Sequence, residues 1–428
     1  MDSFFELKKH ATTVRVESIA GLTTFLAMAY ITVVNPSILA DAGMDFGAVF
    51  VATCIAAAFG SIVMGLYGNY PIAQAPGMGQ NAFFTFGVVL GMGHAWQTAL
   101  GAVFISGVIF VALSVLPVRE WLVNAIPRNL KLGMAAGIGL FLGFIALKNA
   151  GIVVDHDTTL VALGDIVSFE PIVCIIGFAT IVALSARKIT GAVIIGILLA
   201  TLIGWVFGDI EFNGIVALPP SPAPVFLQLD IAAAFQLSMV TVILSMLIVD
   251  VFDTAGTLIG VSTRAKLLDK NGNLPRLKKA LLSDSSATVV GALAGTSSTT
   301  SYIESAAGVE AGGRTGLTAV VCGLLFLGCL FFAPLAQSIP TYATASALLF
   351  VACLMARSLA DLDWRDITES APAVVAAIAM PLTFSIAEGI GLGFISYILI
   401  KTISGRASDC SIAAYVIAVT FALKYAFL

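Results

Sequence analysis

The sequence contains little charge. Only 11% of its 428 residues are Asp, Glu, Lys or Arg, whereas 59% are hydrophobic, and the mean hydropathy is +1.02. Soluble proteins carry about 25% charged residues. The composition therefore excludes a soluble globular protein and predicts an integral membrane protein. Apolar segments recur from residue 16 to the C-terminus, so we expect no separate soluble domain.

Residues that commonly bind metals or form redox pairs are also scarce. The three histidines lie outside the apolar runs and far apart, and the six cysteines include no CxxC pair. The sequence shows no nucleophile–base pair and no cluster of metal ligands. We therefore expect no metal site, no cofactor, no enzymatic activity and no nucleic-acid partner.

The apolar segments predict fourteen membrane helices, because a bilayer core about 30 Å thick needs about 20 residues of helix. The spans form two sets of seven: 16–36, 48–70, 74–92, 95–116, 130–149, 167–186 and 190–208, then 233–257, 280–296, 297–312, 314–338, 341–358, 371–387 and 388–404. A further apolar segment, 411–427, either spans the membrane or lies against the bundle.

These spans divide the chain into two repeats with shorter flanking parts. The parts are an N-terminal interfacial segment 1–15, a first seven-helix repeat 16–208, a Pro-rich linker 209–232, a second seven-helix repeat 233–404 and a C-terminal apolar segment 405–428. Because seven is odd, the second repeat is inverted relative to the first. This arrangement is typical of secondary transporters.

Lys and Arg predict the orientation of the spans. If the N-terminus is cytoplasmic, 19 of the 21 basic residues lie at the N-terminus or in, or within a turn of, the gaps after even-numbered spans. Cytoplasmic loops carry such an excess of positive charge. We therefore expect a multi-pass protein of the inner (plasma) membrane with a cytoplasmic N-terminus.

Two polar interruptions fall at matching positions of the two repeats. The third span contains "IAQAPGMGQNAFFTF" (72–86), where Pro and Gly predict an extended piece that turns into a half-helix near Asn81. The tenth span contains "GTSSTTSYIESAAG" (295–308), where the hydroxyl run 296–301 predicts the same arrangement before Glu304. Either interruption alone is also typical of an ordinary kink, but their matching positions favour a transport site.

A second acidic motif lies in the eighth span. The sequence "VDVFDTAGTLIG" (249–260) places Asp250 and Asp253 three residues apart, and therefore on one helix face. Carboxylates inside a bilayer are costly and commonly mark a substrate or proton pathway. Asp253 has the alternative of lying at the solvated end of the helix. In the first span, Asn35–Pro36 predicts an end or a kink.

These residues also indicate the kind of ligand. Half-helix N-termini favour anions, but Glu304 offsets the positive potential there, and no Lys or Arg lies in the predicted midplane. The site therefore suits a neutral or protonatable ligand with several hydrogen-bond donors. A planar heterocycle fits, and a small polyol fits less well. Phe83 either stacks on such a ring or packs against helices.

Three motifs together, "APGMGQNAFFTF", "VDVFDTAGTLIG" and "TSSTTSYIESAAGVEAGGRTGLTAVV", resemble the AzgA-like branch of the nucleobase–cation symporters. The resemblance covers essentially the whole chain. It implies an all-α, fourteen-helix inverted-repeat transporter with broken third and tenth helices, a core domain (spans 1–4 and 8–11) and a gate domain (spans 5–7 and 12–14). It also implies that Asn81, Asp250, Asp253 and Glu304 hold the positions of the family's binding residues.

We therefore expect proton-coupled uptake of purine nucleobases, either adenine or guanine and hypoxanthine, by alternating access. The expected substrate-binding residues are Asn81, Asp250, Glu304, Thr300, Ser301 and Phe83, and the expected proton-coupling residues are Asp250, Asp253 and Glu304. Purine, protons and membrane lipid are the expected partners. The fold is often dimeric in relatives, so the sequence is also compatible with a homodimer. The alternative is an anion transporter of the same fold, of the sulfate or bicarbonate type.

Overall fold

The computed structural model describes residues 2–116, 127–208, 210, 212–269 and 274–427. Arg119 and Lys270, two of the basic residues used to predict orientation, lie outside the described residues, as do Asp209 and Glu211 of the predicted linker. Within the described ranges the chain is mostly helical.

The elements follow one another in chain order. In the first half they are α1 (Asp2–Phe5), α2 (Val14–Met28), α3 (Ile31–Asp41), α4 (Phe46–Val63, continued by a π-helical turn, Met64–Gly68), β1 (Gln74–Pro76), α5 (Met78–Ala82, continued by a π-helix, Phe83–Gly91), α6 (Trp96–Val115), α7 (Arg128–Asn149), β2 (Val153–His156), β3 (Leu160–Leu163), α8 (Phe169–Ala186) and α9 (Ala192–Phe207).

The second half is also mostly helical. Its elements are α10 (Ile231–Ala234), a 3₁₀ turn (Leu237–Met239), α11 (Val240–Arg264), α12 (Leu277–Ala294), β4 (Thr299–Ser301), α13 (Ser305–Glu310), α14 (Gly316–Cys329), a 3₁₀ turn (Leu330–Phe332), α15 (Ala333–Gln337), α16 (Thr341–Ala356), a 3₁₀ turn (Arg357–Asp361), α17 (Ile367–Thr383), α18 (Ile386–Ile403), a 3₁₀ turn (Ala407–Asp409) and α19 (Ile412–Phe427).

The helices have the length and composition of an integral membrane protein. Nine helical units within the described residues are long and apolar enough to cross a membrane. The apolar helices α9, α17 and α19 are shorter, at 16, 17 and 16 residues. Large apolar side chains such as Phe207, Leu382 and Ile403 are exposed, and a surface of this kind suits contact with lipid.

Most predicted spans match a helix to within a few residues. The first span, however, has a different internal structure. The predicted end at Asn35–Pro36 is wrong, because α3 continues through Pro36 to Asp41. Proline removes one N–H and crowds the preceding turn, but the backbone stays helical here. The interruption lies instead at Ala29–Tyr30, between α2 and α3.

Two further boundaries differ. The eighth span, predicted for 233–257, continues to Arg264, because Leu258 and Val261 keep one face of α11 buried beyond the predicted end. The thirteenth span, predicted for 371–387, ends at Thr383. Phe384 there adopts a left-handed conformation with φ 51°, and the Ser385 hydroxyl accepts a hydrogen bond that caps α18.

The C-terminal apolar segment forms α19, which packs against α18. Lys424 in the last turn of α19 forms an ion pair with Glu388 in the first turn of α18, so the two helices are antiparallel. At the other end of α18, Arg406 pairs with Asp366 at 2.6 Å. Hydrogen bonds from Thr368 and Arg406 hold the pKa of Asp366 well below its usual range.

Two short strand pairs interrupt the helices. β2 and β3 form an exposed hairpin between α7 and α8. β1 and β4 are fully buried and pair antiparallel, although one belongs to each half of the chain. The paired residues are Gln74 with Ser301, Ala75 with Thr300, and Pro76 with Thr299.

Candidate functional site

The buried pair β1–β4 brings the two predicted interruptions together. α5 follows β1 and α13 follows β4. Because the strands are antiparallel, the two short helices leave the pair at opposite ends. Backbone bonds extend the pairing beyond the strands, from Gly77 N to Ser298 O at 2.9 Å and from Tyr302 N to Ala73 O at 3.0 Å.

Glu304 lies at the N-terminus of α13 and is half-buried. Its Oε1 accepts a hydrogen bond from Tyr30 Oη at 2.6 Å. Tyr30 is 1% exposed and lies at the interruption between α2 and α3. A phenol has one hydrogen to donate and few rotatable bonds. Tyr30 therefore orients the carboxylate and leaves Oε2 for another donor.

Asp253 lies beside Glu304 on the accessible side of the strand pair. Its side chain is exposed, and its carboxylate is close enough to that of Glu304 for the two charges to repel. α11 continues to Arg264, so Asp253 is not at the end of its helix. The two residues together present an acidic face that can accept hydrogen bonds.

Asp250 lies one turn earlier on α11 and is fully buried. Its Oδ2 is 3.0 Å from Thr288 Oγ1 on α12. Within the described residues, its Oδ1 has no hydrogen-bond partner. Gln80 on α5 and Asp284 on α12 are the polar neighbours that act on it most strongly besides Thr288. Asp250 therefore lies in the protein interior, whereas Asp253 faces the accessible side.

A third buried carboxylate, Asp284 on α12, was missed by the sequence analysis. Its Oδ1 accepts hydrogen bonds from Ser301 Oγ at 2.7 Å and Gln74 Nε2 at 3.1 Å, and its Oδ2 accepts one from Thr254 Oγ1 at 2.6 Å. It thereby joins α11, α12, β1 and β4. Its presence inside the predicted ninth span was the signal that could have revealed it.

Asn81 and its neighbour Gln80 lie at the start of α5, and both are buried. The Asn81 Oδ1 accepts a hydrogen bond from Ser297 Oγ. In the part of the chain that the structure describes, neither Asn81 Nδ2 nor either amide atom of Gln80 has a hydrogen-bond partner. Buried polar atoms are rarely left in this state, so the Asn81 amide is a candidate for contact with a ligand, whereas the Gln80 amide lies close enough to act on Asp250.

The remaining predicted binding residues are enclosed by the protein. Phe83 is 1% exposed and packs closely against Gly87. Thr300 Oγ1 is 2.9 Å from Thr254 Oγ1, and Ser301 donates to Asp284. Hydrogen bonds thus group Asp250, Thr300 and Ser301 around β4 through shared neighbours, and Asp253 and Glu304 lie on the accessible side.

The site is rich in hydrogen-bond acceptors. Carboxylates dominate the polar contacts described above, and Lys and Arg take no part in them. Among the described residues, no group of three or more His, Cys, Asp or Glu is arranged to hold a metal ion. The arrangement therefore suits a ligand that offers N–H groups.

Comparison with protein families and known proteins gives three findings. The family model described as "Permease family" matches residues 15–392. The adenine permease AdeP of Escherichia coli (strain K12) is 50% identical over 428 residues, covering 100% of this chain and 96% of the relative. The guanine/hypoxanthine permease PbuG of Bacillus subtilis (strain 168) is 47% identical over 440 residues, covering 100% of both chains.

Among solved structures, the transmembrane domain of the cyanobacterial bicarbonate transporter BicA is similar, with a TM-score of 0.69. The alignment covers 88% of this chain and 96% of that domain at 18% sequence identity. At this identity the likeness concerns the fold alone.

Proposed function

The chain belongs to the permease family, with adenine and guanine/hypoxanthine permeases among its relatives, and on this premise we propose that it takes up purine nucleobases together with protons. It is a transporter and not an enzyme. The observation that carries the proposal is the pairing of β1 with β4, which places the Asn81 amide and the acidic face of Glu304 and Asp253 around one buried strand pair.

The chemistry of this region supports a purine. Glu304 Oε2 accepts from a ring or amino N–H, and the Asn81 amide both donates and accepts. An anion, the alternative ligand, has to approach several carboxylates without a basic partner in the polar contacts of the site. The likeness to BicA does not favour that alternative, because it concerns the fold alone.

The proposed architecture is an inverted repeat of fourteen spans with a core and a gate domain. In this scheme β1 with α5 forms the broken third span and β4 with α13 the broken tenth. The antiparallel pairing of one strand from each half supports the inversion. The distribution of Lys and Arg supports a place in the inner membrane with the N-terminus in the cytoplasm, and a homodimer remains part of the proposal.

Coupling to protons is assigned to Asp250, with Asp253 and Glu304 as the other candidate groups. Asp250 is fully buried, has one hydroxyl partner and lies one turn from a second carboxylate. Reorientation of a loaded carrier is easier when such a group is neutral, because an ion inside a membrane is costly.

Uptake of labelled adenine, hypoxanthine, guanine, uracil and sulfate into cells that lack their own carriers tests this proposal. We expect uptake of at least one purine, an increase in uptake as the external pH falls, and a loss of accumulation when a protonophore is added. Sulfate uptake without purine uptake would contradict the substrate. Sodium-dependent purine uptake that ignores pH would contradict the coupling ion.

The Asp250→Asn variant separates binding from coupling. A neutral side chain at this position cannot load and release a proton, so accumulation against a gradient should be lost while exchange of labelled purine across the membrane persists. Accumulation with the pH dependence of the wild type would show that the coupling proton is carried elsewhere, with Glu304 and Asp253 next to be tested.

A further inference from the structure

The hydroxyl of Thr288 lies between two oxygen atoms that both accept hydrogen bonds. Thr288 Oγ1 is 3.0 Å from Asp250 Oδ2 and 2.9 Å from the backbone oxygen of Thr299. All three residues are fully buried. A hydroxyl has one hydrogen, so Thr288 donates to only one of these oxygens at a time.

The protonation state of Asp250 determines which of the two oxygens the Thr288 hydroxyl donates to. When Asp250 carries a proton, its O–H donates to Thr288 Oγ1, and Thr288 donates to the carbonyl of Thr299. When Asp250 is ionised, Thr288 turns its hydrogen to the carboxylate, because a charged acceptor gives the stronger hydrogen bond. The contact with Thr299 then has no hydrogen.

Thr299 lies in β4, opposite β1. Loss of the hydrogen bond from Thr288 to the Thr299 carbonyl therefore affects the strand pair. The pairs Gly77–Ser298 and Ala73–Tyr302 are hydrogen-bonded, and bonded and non-bonded pairs alternate along an antiparallel ladder. Thr299 and Pro76 therefore form a non-bonded pair, and the Thr299 carbonyl points away from β1 towards Thr288. A buried carbonyl that loses its donor is destabilised. Release of the Asp250 proton therefore favours a shift of the β4 backbone. Glu304 follows β4 closely in the chain, so the shift reaches it.

The titratable groups near Asp250 do not take over the role of the Thr288 hydroxyl. Asp284 on α12 and Asp253 on α11 are the charged groups that act on Asp250. The Asp284 carboxylate is bonded to Gln74, Thr254 and Ser301. Asp253 is exposed on the accessible side. Gln80, from α5, is polar but does not titrate.

We propose that Thr288 is a positioning residue that transmits the protonation state of Asp250 to strand β4, and through β4 to the purine site at Glu304. The inference rests on the proposed function of proton-coupled purine uptake. Proton-loaded protein holds β4 in the geometry described here and binds purine tightly. Release of the proton frees the Thr299 carbonyl and weakens purine binding.

Purine binding to the purified full-length protein, measured with adenine, hypoxanthine and guanine from mildly acidic to mildly alkaline pH, tests the proposal. Wild-type affinity should rise as pH falls. Thr288→Val keeps the shape but removes the hydroxyl, so its affinity at acidic pH should fall roughly ten-fold, and most of its pH dependence should disappear. Thr288→Ser retains a hydroxyl and should restore both.

A matched control is Thr201→Val. Thr201 is buried too, but its hydroxyl donates to its own helix, at Ile197 O on α9. This variant should keep the affinity and the pH dependence of the wild type. If Thr288→Val also keeps the full pH dependence, the proposed transmission is overturned.

A second variant decides the matter if Thr288→Val does not fold. In Asp250→Asn the amide donates to Thr288 at every pH, so purine affinity should no longer depend on pH. An Asn variant that follows the wild-type pH dependence overturns the proposal. Wild-type purine binding that ignores pH also overturns it, whereas a wild type that binds none of the three purines refutes the proposed function itself.

Discussion

At the scale of single residues, Glu304 joins parts of the chain that are distant in sequence. Its partner Tyr30 lies 274 positions earlier. The hydrogen bond engages Oε1, so in the proposed complex Oε2 is the oxygen that accepts from the purine. Hydrogen bonds to charged groups contribute about 1.5–3 kcal/mol each. Both the charge and the orientation of Glu304 are therefore expected to govern purine affinity.

Glu304→Gln should weaken purine binding roughly ten-fold or more, because the amide keeps the shape but loses the charge. Tyr30→Phe should weaken it less, because the carboxylate remains but is no longer oriented. In the Gln background, Tyr30→Phe should have little further effect, since the two residues act together. Calorimetric titration of the four proteins with purine gives the double-mutant cycle.

The matched control for this cycle is Tyr70→Phe. Tyr70 is also 1% exposed, but its hydroxyl accepts a hydrogen bond from Arg276 N, away from Glu304. Independent effects of Tyr30→Phe and Glu304→Gln would show that Tyr30 supports the fold without orienting Glu304. Wild-type affinity in Glu304→Gln would remove Glu304 from the site.

Some of these residues could be predicted from the sequence and others could not. Asp250, Asp253 and Glu304 are carboxylates inside apolar spans, and this alone indicates function. The same rule applies to Asp284, which was overlooked. Tyr30 and Thr288 are ordinary membrane-helix residues. Their roles depend on contacts with distant segments, which local sequence patterns do not encode.

At the scale of elements, the short helix α13 is held closely against α2. A Cβ on Gly308 would lie 2.1 Å from Thr24 Oγ1 and 2.7 Å from Ala20 O. Beyond α13, the buried Glu17 of α2 accepts hydrogen bonds from the backbone N–H groups of Arg314 and Thr315. The position of Glu304 at the start of α13 therefore depends on α2.

Gly308→Ala should displace α13 and weaken purine binding, because a methyl group has no room against Ala20 O. Overpacking of this kind costs about 1–3 kcal/mol of stability. Thermal unfolding in detergent and purine titration measure the two effects. The control is Gly328→Ala on α14, where a Cβ meets no atom within 4 Å. Equal behaviour of the two variants would contradict the close packing of α13.

The positions of β1 and β4 could be predicted from local sequence, whereas their pairing with each other could not. Pro and Gly in 72–86 and hydroxyls in 296–301 indicate extended backbone, and β1 and β4 lie there. That these two segments pair with each other is a tertiary fact. The pairing register depends on packing among α4, α11 and α12, which no pattern within either segment records.

At the scale of the whole molecule, the distribution of basic residues predicts which loops share a side of the membrane. Asp157 in the exposed hairpin β2–β3 should lie outside the cell, and Lys278 at the start of α12 should lie in the cytoplasm. In a background without the six natural cysteines, a membrane-impermeant maleimide applied to intact cells should label Asp157→Cys and spare Lys278→Cys. Labelling in the reverse order would invert the proposed orientation.

The β1–β4 pair also bears on how the molecule is made. Gln74 and Ser301 are 227 positions apart, so β1 enters the membrane long before its partner strand has been synthesised. Unpaired backbone is costly there, and contacts between such distant residues form slowly. Ser61 on α4 meets part of this need from within the first half, because its hydroxyl lies 2.9 Å from Gln74 N and 3.1 Å from Gln74 O. A nascent or truncated chain that ends before β4 therefore has a partner for the backbone of Gln74 in β1, but it lacks Glu304 and the strand that completes the proposed purine site.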